Sequence, residues 1–257
     1  MNFCLHLFIK KDMINHMPSE GQSLPAVLRW SPSGRAVVFA LSAMSIWCLL
    51  SEFYGLCSMR TFVFFVLIPA MILLAAMALI DRAKGDHRLF TAVIVGAIAG
   101  LFAAISYDLF RLPWVIGHAQ QVGPTWLRLP LFRVFPQFGA MILNQPFTSQ
   151  QSQNSFSLWA HLVGWIYHFS NGMTFGIMYM ALIGDSLKRS WLWAMALAAG
   201  LEILMLLTPY TSFFAIRITA LFIIVTLTAH LLFGLVLGHF SKWMQRHSLA
   251  SFQLRLA

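Results

Sequence analysis

Six stretches of this chain are apolar over about 20 residues, the length a helix needs to cross hydrocarbon: 36–54, 61–80, 89–110, 158–184, 191–208 and 218–240. A segment in lipid must satisfy its own backbone hydrogen bonds, which leaves the helix as the form such stretches can take. The expected fold is therefore all-α, a polytopic transmembrane bundle of six spans. Composition agrees, with 59% of residues hydrophobic and 10% charged and a mean hydropathy of +0.75. Charges or prolines close every stretch, among them Arg35, Arg60, Asp81, Arg111, Asp185 and Pro209. Glu52 interrupts the end of the first.

Orientation follows from the Lys and Arg residues, which accumulate on cytoplasmic flanks. With the N-terminus inside, the inner segments hold 12 of them and the outer segments 5. Both termini are then cytoplasmic, in a protein read as belonging to a bacterial cytoplasmic membrane. Residues 1–34 read as a loosely ordered cytoplasmic arm, broken by Pro18, Gly21, Pro25 and Pro32, with Met1, Met13 or Met17 as the start of translation. Residues 35–243 form the six-helix domain, and 244–257 a cytoplasmic tail. Trp114, Trp126, Trp159, Trp191, Trp193 and Trp243 fall near span ends, as an interfacial belt requires.

The net charge of +9 is accounted for by this topological signal and by attraction to anionic lipid heads. It leaves no dense basic run for nucleic acid. Cys4, Cys48 and Cys57 form neither a CxxC pair nor an even framework. The expected partners are the lipid bilayer and a small solute or proton, with the oligomeric state open.

The connection 111–157 is too long to be a mere link between spans three and four. Pro113 is expected to stop the third helix. The following segment mixes Trp, Phe and Leu with Arg128 and Arg133 and is broken by Pro124, Pro130 and Pro136. This predicts an interfacial or re-entrant segment, acting as a lid or as a strap.

Polar residues inside the apolar stretches carry the functional signal. In GWIYHFSNGMTFG (164–176), His168, Ser170, Asn171 and Thr174 interrupt the fourth span. His168 is followed at i+4 and i+8 by Gly172 and Gly176; His230 is followed in the same way by Gly234 and Gly238; Gly96, Gly100 and Ala104 lead to Asp108. Small residues four apart let transmembrane helices approach closely, so the polar groups on these stripes are expected to face protein. In depth, Asp108, Arg111, His161, His168, Asn171, Glu202, Arg217 and His230 form a column from the outer surface to the midplane. His239 falls at the opposite end. An ionised group at mid-membrane costs about 2.5–3.5 kcal/mol on insertion scales, so Glu202 needs a partner, with Arg217 or His230 the candidates. Helix glue is the competing reading for each member of the column.

Several chemistries find no motif. There is no GxxxxGK[ST], no GxGxxG after a strand and no GxSxG. HExxH and HxxxH are absent too, so no metal or cofactor is expected; axial haem or metal ligation through His168 and His230 is the one arrangement left open. Three functional classes remain. Small-solute or proton-linked transport leads, followed by a membrane-embedded enzyme acting on a lipid or quinone-like substrate, then a membrane assembly or scaffold protein. A second, cytoplasmic opening or a broken helix near Glu202 would mark the transporter; a closed floor beneath His230 and a lateral opening to lipid, the enzyme; polar groups paired around no cavity, the scaffold.

Overall fold

Apolar length becomes helix in the computed structural model, which describes residues 25–121, 123–124, 128–149 and 151–253, with no strand among them. The helices are α1 (Pro32–Phe53), α2 (Met59–Lys84), α3 (Arg88–Gln120), α4 (Val134–Leu143), α5 (Leu158–Ile183), α6 (Leu192–Leu206), the single turn α7 (Tyr210–Phe213) and α8 (Ala220–Gln253). Four of them, α1, α2, α3 and the Ala220–His247 part of α8, are long and apolar enough to cross a membrane. The fourth and fifth expected spans differ. At 26 residues α5 has the length but carries the polar middle, and α6 is apolar but only 15 residues long.

Most of the expected N-terminal arm and the alternative starts Met1, Met13 and Met17 lie outside the described residues. Its last part is a 3-10 turn at Ala26–Leu28 followed by α1, which Pro32 opens as first residue and Ser31 caps by accepting from Gly34 N. Arg35 on the first turn of α1 donates to Ala181 O and Leu182 O at 2.8 and 2.9 Å, and Trp30 Nε1 donates to Gly184 O at 2.8 Å. A cation and an indole thus satisfy the free carbonyls that end α5. Glu52 does not break α1. Its carboxylate turns across the connection to accept the backbone N–H of Met59, at the start of α2. At the other end, α8 runs on to Gln253, through most of the expected tail.

The expectation that Pro113 stops the third helix is corrected: α3 continues to Gln120 with Pro113 inside it. A proline removes one hydrogen bond but need not end a helix whose flanking turns are held from outside. Here Arg111, on the turn before, lies over the ring of Phe132 of the returning chain at 5.1 Å, and Trp114 packs within α3 on Phe110 with ring centroids 5.4 Å apart. Trp114 O also accepts from Leu129 N of the returning chain, at 3.2 Å. The connection between α3 and α5 is correspondingly shorter than the sequence suggested.

That connection contains α4, nine of whose ten residues are buried. It lies directly on α5: a Cβ on Gly139 would strike the backbone of Ala160, and one on Gly164 would strike Phe135. Asn144 ends α4 in the left-handed region at φ 56°, which asparagine tolerates better than most residues.

Two further glycine seams order the bundle. Gly96 and Gly100 of α3 face Gly172 and Gly176 of α5; a Cβ on Gly96 would lie 2.8 Å from Gly176 O, and one on Gly172 would lie 2.6 Å from the Cβ of Ala104. The pair on α8 has a different neighbour. A Cβ on Gly234 would lie 2.5 Å from Met195 Cα, and one on Gly238 2.8 Å from Trp191 O, so this stripe seats α6. The three stripes therefore make two separate antiparallel contacts, α3 on α5 and α6 on α8.

Candidate functional site

Each seam delivers a polar pair. Running from Gly100 toward its C-terminus, α3 presents Ala104, Tyr107, Asp108 and Arg111 at i, i+3, i+4 and i+7, one face of a helix. The antiparallel α5 presents His168 one turn before Gly172 and Asn171 next to it. Asp108 and His168 consequently meet, with Oδ2 2.8 Å from His168 Nε2, while Asp108 Oδ1 accepts from Arg111 Nη2 at 2.6 Å. Asp108 and Arg111 are 8% and 4% exposed, so one carboxylate joins a guanidinium and an imidazole away from water. Phe135 of α4 stacks on the His168 ring at 4.1 Å and 27°.

The second seam joins α6 to α8. Helical side chains lean toward the N-terminus, so Glu202 reaches back along α6 to the level of His230, whose Nδ1 lies 3.4 Å from Glu202 Oε2. The same Nδ1 is 2.9 Å from Thr226 O. Both neighbours are acceptors, so Nδ1 carries a proton. Glu202 is 7% exposed.

Tyr107 stands beside both pairs. Its ring meets His230 edge-on at 4.8 Å, lies 6.3 Å from His168, and carries the Arg111 guanidinium over its face at 3.9 Å. A cation so placed is attracted by the ring quadrupole.

These residues surround a cavity of about 810 Å³ whose wall includes Arg111, His168, Asn171, Glu202, Arg217 and His230. Asp108 sits behind Arg111 and His168. Of the expected column, only His161 is elsewhere: it is partly buried near Phe156, with ring centroids 6.4 Å apart, and does not line the cavity. His239 is exposed at the far end of α8, against Trp191 at 4.7 Å. Asn171 Oδ1 is buried without a hydrogen-bond partner among the described residues.

Sequence reasoning missed Tyr107, Arg128, Arg133 and Tyr210, all in the cavity wall. Tyr107 had a signal, three residues after Ala104 and four before Arg111. The two loop arginines had none, because no helical period fixes where a proline-broken segment returns.

One end of the cavity is lined by the loop residues Arg128–Leu131 and Ala215–Arg217; the other stops at Ala104, Phe175 and Phe233. From Leu221 to Phe233 along α8 this is about 18 Å at ~1.5 Å per residue. Beyond that floor, Ala99, Ala103, Tyr179 and Leu237 are 0% exposed and belong to one apolar cluster.

Among the described residues no three His, Cys, Asp or Glu side chains converge as a metal site would need. His168 and His230, weighed as axial ligands, each already engage one ring nitrogen, with Asp108 and Thr226 respectively.

The fold and cavity define the class: an all-helical protein of membrane type with a charged, partly apolar internal site. Comparison with family models, curated proteins and solved structures gives no match.

Proposed function

We propose that this chain is a six-span integral membrane protein of a bacterial cytoplasmic membrane, with both termini cytoplasmic. It holds an amphiphilic, lipid- or quinone-like substrate in a one-ended pocket and exchanges a proton with it through His230 and Glu202. The observation that carries the reading is the cavity of about 810 Å³ with a carboxylate–imidazole pair in its wall and a packed apolar floor. That volume lies within the range of small-molecule sites, about 300–1,000 Å³.

The extra crossings are α5, 26 residues and ~39 Å long, and α6, 15 residues and ~22 Å, extended by the turn that leads into α7. In this topology α4 is re-entrant, dipping in from the outer side beside α5. His230 Nε2 acts as the base that takes a proton from the substrate. The carboxylate of Glu202, on the Nδ1 side, stabilises the imidazolium that results.

Proton-linked transport is the second reading, favoured by the two buried carboxylate–imidazole pairs on either side of Tyr107. It requires the inner half to open, and the closely packed Ala99, Ala103, Tyr179 and Leu237 count against that, as does the unbroken helix around Glu202. A pure scaffold has no use for so large a cavity.

The test is to incubate the full-length protein, wild type, Glu202→Gln and His230→Ala, with a total lipid extract and follow the mixture by mass spectrometry. The expected result is one amphiphile class consumed by wild type and left intact by both variants, with all three proteins folded. Consumption by the variants at the wild-type rate would exclude the pair from the chemistry.

A further inference from the structure

Four arginines line the cavity, Arg111, Arg128, Arg133 and Arg217, and among the described residues only Arg111 of these pairs with a carboxylate, that of Asp108, which it shares with His168. The other three sit at the loop end. Arg128 donates to Gly123 O at 2.7 Å and Gln121 Oε1 at 3.1 Å, and Arg133 to Phe214 O at 3.0 Å. Their Nε atoms are buried without a partner among the described residues. Arg217 has neither an ion pair nor a side-chain hydrogen bond among the described residues. Neutral acceptors therefore hold two guanidinium groups in place without neutralising them, and a third is left open beside them. The carboxylates nearby are already engaged: Asp108 by Arg111 and His168, Glu202 by His230.

We propose, resting on the pocket reading above, that the ligand is an amphiphile with an anionic head of the phosphate or carboxylate type. The head is held by Arg128, Arg133 and Arg217. Its chain runs down the apolar wall past Met205 and Phe222 to Phe233, and a guanidinium fork suits the oxygens of either head. The same guanidinium groups could take a free anion, so the probes must separate head from chain.

The experiment uses the full-length protein in a neutral sugar detergent, titrated with dodecyl phosphate, dodecanol and inorganic phosphate, with bound molecules counted by native mass spectrometry. Dodecyl phosphate is expected to bind as one equivalent, dodecanol at least about tenfold more weakly for want of charge-assisted hydrogen bonds, and inorganic phosphate more weakly still for want of a chain. Arg217→Gln and Arg133→Gln should each weaken dodecyl phosphate about tenfold, with Arg133→Lys recovering part of the loss. Arg217 is exposed, so its variant should unfold at the wild-type temperature. Met205→Trp, which fills the pocket, should abolish binding.

Equal binding of dodecanol and dodecyl phosphate, both lost in Met205→Trp, would overturn the anionic head while leaving the pocket intact. Equal binding of inorganic phosphate would overturn the chain. Failure of every amphiphile to bind, or indifference to Met205→Trp, would overturn the pocket reading itself.

Discussion

Asp108 shows how one residue can hold a site together. Its two oxygens are used by different helices, Arg111 on its own and His168 on α5. Removing Asp108 leaves the Arg111 guanidinium buried and unpaired, at a cost of about 3–5 kcal/mol. Asp108→Ala should lower unfolding stability by that amount, measured by equilibrium unfolding in detergent, and Asp108→Ala with Arg111→Met should recover a large part. An additive double variant would mean the two residues do not interact. His161 belongs to no such arrangement around the cavity, and His161→Ala should leave binding of the pocket ligand unchanged by titration. The difference between these two residues was not legible in the sequence, where both sit on a helix face pointing to the same column. Seven residues along α5 from His168, His161 meets the loop residue Phe156 instead, and loop position has no periodic signal.

At the scale of the element, close approach was legible and partnership was not. Stripes of glycine four apart announced that α3, α5 and α8 touch other helices at backbone distance. Which helix each stripe meets depends on the fold, and Gly234 and Gly238 turned out to seat α6. Glycine spacing also missed α4, where Gly139 and Gly164 are far apart in sequence yet both lie in one contact. Substitution can separate seam from surface. Gly100→Ala and Gly176→Ala force a Cβ into the facing backbone and should destabilise by about 1–3 kcal/mol, as overpacking does. On α6, a Cβ at Gly200 would meet nothing within 4 Å. Gly200→Ala should be neutral or stabilise by up to about 1 kcal/mol, since alanine is the better helix former. Thermal unfolding of the three proteins side by side decides it: equal shifts for all would mean the α3–α5 seam is not tight. Proline reasoning failed at Pro113 because tertiary contacts on both sides of it outweigh one lost hydrogen bond, which a local rule does not weigh.

At the scale of the whole molecule, hydropathy gave the helical class, because hydrocarbon tolerates little else, and four of its six stretches are helices long and apolar enough to cross a membrane. The pocket was only half visible. Its buried groups lie on helices with a period, while its arginine end is built from the loop before α4 and the loop after α7. The proposed pocket, with a packed floor, makes a further demand on topology: access from the arginine side. The most direct measurement is labelling of Thr226→Cys, in a chain with Cys4, Cys48 and Cys57 replaced by alanine, using a small membrane-impermeant thiol reagent on oriented vesicles. The account predicts labelling from the outer face only, blocked by the pocket ligand. Labelling from the cytoplasmic face, or equally from both, would contradict it.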